Sequence, residues 1–158
     1  MIDISGLSEA ELLQLHAQTL ARLKELGAVR STNSPVADIA ESMAAKLLGG
    51  ELAPKSQGHF DVMVSKDGVT TTYQVKARRL TAHNTSRQLG ALRNMEDKRF
   101  DFLVGILFRE DFSPIKGAII PWDVVKAHST YIRRTNSWRF LLRDSVWGLP
   151  GVRNLALP

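Results

Sequence analysis

The chain contains no cysteine, which excludes disulfides and zinc sites built on thiolates. Nowhere does it hold an apolar run of roughly 18 residues, the length that would span a bilayer as a helix. The first residues, MIDISGLSEAELLQ, are acidic and lack the apolar core of a secretion signal, so a cytoplasmic protein is expected. There is also no internal repeat, no low-complexity segment and no linker long enough to divide the chain. What remains is 158 residues, 44% apolar and 23% charged, the profile of one globular domain with a real core.

Positive charge is in excess and unevenly placed. The formal net charge is +5. Residues 1–28 carry four acids and two bases, whereas residues 76–99 carry seven bases and two acids. A basic cluster of this kind is the electrostatic footprint of a polyanionic partner.

Periodicity gives the elements. Ser8-Glu9-Ala10-Glu11 is a capping box. Leu12, Leu13, His16, Leu20, Leu23 and Leu26 then recur at helical spacing up to Gly27, which predicts a helix over 8–26, with His16 near the stripe as a packed or half-exposed side chain. After a polar link, Ser34-Pro35 starts a second helix that ends at Gly49-Gly50. Ile39, Ala40, Met43, Leu47 and Leu48 make its buried face, and Ala37, Ala44 and Ala45 surround Glu41 with small side chains. A short run at 51–53 precedes a hairpin, 59–66 and 69–78, turned by Lys66-Asp67-Gly68. Residues 84–95 read as weakly helical, with Ser86 as cap. FDFLVGILF, residues 100–108, reads as a strand covered on both faces. A strand at 115–120, a short helix from Pro121 to Ala127, short strands at 130–134 and 137–142, and an ordered tail complete the order. The expected class is a mixed α/β domain with a central sheet flanked by helices. Residues 1–30 form its N-terminal helix, 34–127 its core and 128–158 a C-terminal extension.

The hairpin carries an anomaly. Asp61 interrupts an apolar run, and Gln74 and Lys76 stand two apart on the next strand, hence on one face of it. A buried acid is costly unless compensated. If the second helix packs at that end of the sheet, Glu41 joins the group. Two carboxylates, an amide oxygen and an ammonium would then share one small volume. Oxygen donors of this kind suit Mg²⁺ or Mn²⁺, and the lysine could orient a water or stabilise charge on a phosphate.

Glu41 in DIAESMAAKLLGG, Asp61 in GHFDVMV, and Gln74 and Lys76 in YQVKARR are similar in order and spacing to the active-site layout of the PD-(D/E)XK nuclease superfamily. The likeness covers residues 34–79, plus the buried strand and helix expected beyond them. It implies a restriction-endonuclease-like fold and metal-dependent cleavage of a nucleic-acid phosphodiester. By position it implies Asp61 as central metal ligand, Gln74 as second ligand with the Val75 carbonyl nearby, and Lys76 as catalytic lysine. Glu41 would be the helix-borne acid that binds the ion or orients its water. The sequence departs from the pattern twice: no proline precedes Asp61, and Gln74 stands where an acid is usual, which lowers the charge available to a metal. QVKARR and FDFLV also resemble stretches of small bacterial proteins of unassigned role.

Around this set lie donors for phosphate oxygens: Arg78, Arg79, His83, Asn84, Ser86, Arg87 and Arg93. A second basic patch, Tyr131 to Arg139, interleaves arginines with Trp138, a residue that either stacks on bases or belongs to the core with Phe140. DNA is the expected partner, RNA stays open, and a double-strand cut would call for a two-fold homodimer. Two other readings fit the same residues: a nucleic-acid-binding module that has lost catalysis, and a structural protein in which Asp61 and Lys76 form a salt bridge.

Overall fold

The computed structural model describes residues 2–31, 34–54, 56 and 58–158. Helix α1 spans Glu9–Glu25. Its capping box forms as expected: Ser8 Oγ accepts the Glu11 amide at 3.4 Å, and Glu11 Oε2 accepts the Ser8 amide at 2.8 Å. Its leucine stripe behaves differently. Only Leu20 is buried, while Leu13 and Leu26 remain 63% exposed. The neighbouring sheet face is already covered by the next helix, so α1 lies over a groove and has little apolar surface to pack on.

That next helix, α2, spans Pro35–Leu48. Within the link before it, Thr32 and Asn33 lie outside the described residues. Pro35 begins it, but the Ser34 side chain makes no capping bond. Asp38 instead accepts the amides of Arg30 and Ser31 at 2.8 and 2.9 Å. Gly49 ends the helix in the left-handed region at φ 66°, where a side chain is disfavoured.

The strands are β1 (Glu51–Leu52), β2 (Val62–Lys66), β3 (Val69–Arg79), β4 (Phe102–Phe108), β5 (Pro114–Pro121), β6 (Thr130–Ile132), β7 (Ser137–Arg139) and β8 (Arg153–Asn154). A six-stranded sheet runs in the order β1-β2-β3-β4-β5-β8, beside a two-stranded ribbon of β6 and β7. Among the described residues only β3 and β4 pair in parallel. Helix α3, Trp122–Ala127, follows β5. The fold is thus mixed α/β, as the sequence predicts.

Alternation decides what covers each face. Ala40 and Ala44 of α2 pack on Val62, Tyr73, Val75, Val104 and Ile106. The other face is covered by Leu89, Leu92, Phe140 and Leu142 over Leu103 and Leu107. As expected of a strand between two layers, Leu103 through Phe108 are all buried.

Residues 84–95 are not helical. They form an extended strap along β7 and the residues after it: the Leu89 amide donates to Phe140 O, and Leu92 and Trp138 exchange amide bonds at 3.0 and 2.7 Å. Ser86 Oγ accepts only the Gln88 amide, at 3.3 Å. Gly90 and Asn94 weaken any helix, and a strap buries Leu89 and Leu92 on the sheet. The parallel crossover from β3 to β4 therefore holds no α-helix among the described residues, only a 3-10 turn at Met95–Asp97. Gly105 lets the strap layer approach. A Cβ there would lie 3.0 Å from a Leu142 methyl and 3.2 Å from one of Leu89.

The strand expected at 130–134 ends at Ile132 and becomes a 3-10 turn over Arg133–Thr135. The one expected at 137–142 is regular only over Ser137–Arg139. Phe140 and Leu142 are fully buried, and Trp138 packs partly into the same cluster. The tail contributes more than turns: β8 pairs with β5 and extends the sheet.

Candidate functional site

Strand β2 leaves β3 after the pair Val62–Tyr73. From Val75 onward the β2-facing edge of β3 is open. Asp61 sits at the point of divergence. Its amide donates to Tyr73 O at 2.9 Å, and its side chain takes over where the ladder stops. Oδ2 accepts the Val75 amide at 2.7 Å and the Gln74 Nε2. A carboxylate here satisfies an edge N–H that would otherwise lack a partner. Oδ1 has no protein partner among the described residues.

Gln74 and Lys76 lie on the face of β3 that carries the strap, whereas α2 and Glu41 lie across the sheet. They meet because the edge between them is open: Glu41, Val75, Lys76 and Ala77 line one groove of about 1090 Å³. Its far wall is α1, through His16, Leu20 and Leu23. The stem of Lys76 crosses Gly90, where a Cβ would stand 3.5 Å from Lys76 Cδ. The ammonium makes no hydrogen bond or ion pair among the described residues. It is not bonded to Asp61, so the simple salt bridge weighed from the sequence is not formed.

Electrostatics tie the acids together. Burial pushes the Asp61 carboxyl above the usual range; the Val75 amide and the charges of Lys76 and Arg30 oppose this. Burial likewise raises Glu41, the Asp61 charge raises it further, and Arg30 counteracts. Arg30 pairs with Glu41 Oε2 and donates to Ala53 O at 3.0 Å. Two partly buried acids that repel each other mark a place where added positive charge is favourable.

Asp61 Oδ1 and the second Glu41 carboxylate oxygen have no bonded partner among the described residues, and Gln74 and Val75 both bond to Asp61. No cluster of three or more His, Cys, Asp or Glu side chains suited to a metal occurs among the described residues. Two carboxylates plus amide and carbonyl oxygens still fit Mg²⁺, which keeps several of its waters.

Of the residues expected to contact phosphates, Arg78, Arg79 and Asn84 line the groove. Arg78 Nε donates to Ser86 O at 3.2 Å, and Arg79 lies 4.6 Å over the Phe112 ring. His83, Ser86, Arg87 and Arg93 are not in its lining. His83 and Arg93 are exposed, and Arg87 is engaged by Asp144 at 2.9 Å. Sequence reasoning missed Arg30, Asp38 and Phe112, since no spacing brings an arginine before a helix onto a glutamate inside it. The one signal was Asp38 in the first helical turn, an acid placed to collect free amides.

Among the described residues no helix is long and apolar enough to cross a membrane. Compared with known proteins, the chain matches no family model and no curated sequence.

Proposed function

We propose that the protein is a divalent-metal-dependent endonuclease of restriction-endonuclease-like fold, acting on DNA, with Lys76, Asp61, Gln74 and Glu41 at its centre. The observation that carries this is the open edge of β3, where the Glu41 carboxylate and the unpaired Lys76 ammonium face one groove beside Arg78 and Arg79, and where Asp61, whose charge opposes ionisation of Glu41, is bonded to Val75 of the groove lining. Asp61 is held rigidly by the Val75 amide, so its free oxygen has a fixed direction. Asp61 and Glu41 would hold the ion, with Gln74 and the Val75 carbonyl as neutral donors. A bound Mg²⁺ or Mn²⁺ supplies Lewis-acid polarisation of the phosphate. Lys76 offers an ammonium to the charge that builds on the phosphoryl oxygens. Arg78 and Arg79 hold neighbouring phosphates in register.

The test is nicking of supercoiled plasmid with Mg²⁺, Mn²⁺ or EDTA. Asp61→Asn, which keeps an oxygen for the Val75 amide, and Lys76→Ala are expected to lower the rate by at least about 10²-fold while circular dichroism and melting stay close to those of the parent. Nicking that persists in Lys76→Ala belongs to a contaminant and ends the reading. A double-strand cut would need two such sites, hence a two-fold homodimer.

One observation favours a second reading, a nucleic-acid-binding module without catalysis. Gln74 donates its Nε2 to Asp61, so a neutral amide already compensates the acid. Under that reading divalent ions leave DNA binding unchanged and no nicking occurs.

A further inference from the structure

Outside the groove, the strongest unassigned feature is a set of arginines on the strap and β7. Trp138 pairs with Leu92 on one side and Tyr131 on the other, so β6, β7 and the strap form a small three-stranded patch. Its inner side chains are apolar: Leu92, Phe140 and Leu142 are buried. Alternation places Arg93, Arg139 and Arg143, each adjacent in sequence to one of these inward residues, on the outer side, and all three are exposed. Arg133 and Arg134 are exposed on the turn between β6 and β7.

None of these five guanidiniums has a hydrogen bond, ion pair or aromatic partner among the described residues. Neither 76–95 nor 128–143 contains an Asp or Glu. An ordinary solvated surface intersperses both signs. Here the two adjacent strands themselves carry one sign alone, with Glu96, Asp97 and Asp144 only at their ends. The patch is joined to the groove through the strap, because Gly90 lines the groove while Arg93 follows it on the outer side.

We propose that Arg133, Arg134, Arg139 and Arg143, with Arg93, form a second contact surface that holds the phosphate backbone of duplex DNA beyond the groove. Phe140 is buried and Trp138 partly so, while Tyr131, 47% exposed, lies against Trp138 with the ring centroids 5.4 Å apart, on the side of the strands opposite Arg139. The surface therefore offers guanidiniums for phosphate rather than rings for unstacked bases, which favours a duplex over a single strand. The inference shares the polyanionic partner of the proposed function but not its chemistry.

The experiment is fluorescence anisotropy with a duplex longer than the groove, in EDTA, over a salt series. The variant carries Arg133→Gln, Arg134→Gln, Arg139→Gln and Arg143→Gln. Each lost phosphate contact lowers the slope of log K against log salt by about 0.9, so a fall of roughly 3 to 4 is expected, with an unchanged melting temperature. Lys76→Ala should leave that slope within about one contact of the parent. An unchanged slope in the quadruple variant overturns the surface, and so does binding to anionic vesicles with none to the duplex. Plasmid nicking reports separately. A lowered slope without nicking in the parent removes the nuclease and keeps the surface; nicking with an unchanged slope does the reverse.

Discussion

Arg30 is the residue on which the candidate site depends most. It neutralises Glu41 and its charge also reaches Asp61. Removing it leaves a partly buried carboxylate short of its partner. Arg30→Gln is expected to lower stability by about 1–3 kcal/mol in urea titrations, and an unchanged midpoint would show that Glu41 needs no such partner. The acids also give a pH signature. Both bind their protons more tightly in the folded chain than in the unfolded one. As pH rises from about 4 through the raised folded values, the unfolded chain ionises first. It then binds fewer protons than the folded chain, so stability falls with rising pH across that window and stays at the lower level above it. Asp61→Asn removes one of the two groups and their mutual repulsion. Its melting temperature should fall less than the parent's between about pH 4 and pH 7. Parallel pH profiles would contradict the burial of Asp61.

At the scale of elements, the contrast lies between α1 and the strap. Both carry regularly spaced leucines, yet one face is open and the other sealed. Leu89 of the strap, buried over Gly105, should cost about 2–5 kcal/mol when replaced by alanine. Leu13, 63% exposed on α1, should cost less than about 0.5 kcal/mol when replaced by serine. Denaturant midpoints of the two variants test the pair, and equal losses would mean that α1 is packed far more firmly than its exposure indicates. Residues 84–95 read as weakly helical from sequence because QLGALRNM satisfies a helical spacing about as well as an extended one. What decides is the buried face of β3 and β4, which accepts a flat layer only where Gly105 lacks a side chain.

On the scale of the whole molecule, the C-terminal residues belong to the core. Phe140, Leu142, Val146 and Leu155 are buried, and β8 closes the β5 edge. A chain ending at residue 128 should therefore lose its cooperative thermal transition by circular dichroism. A sharp melt would show that 34–127 suffices as a core. The reading from sequence treated 128–158 as an extension because short apolar stretches with turns give no hint of where they dock. Charge follows the same logic: the basic run at 76–99 was legible residue by residue. Its division between groove, strap and the Asp144 ion pair was not.

The sequence by itself determined the capping box of α1, the ends of the two long helices, the Asp67-Gly68 hairpin, the doubly covered strand at 102–108 and the placing of Gln74 and Lys76 on one side of their strand. Each follows from local stereochemistry or from a period of two or 3.6 residues. Only the tertiary structure decided that β2 departs at Asp61. That departure leaves an open edge through which Glu41 and Lys76, from opposite faces of the sheet, reach one groove. Such a meeting depends on where one strand stops beside another, and no local preference encodes that.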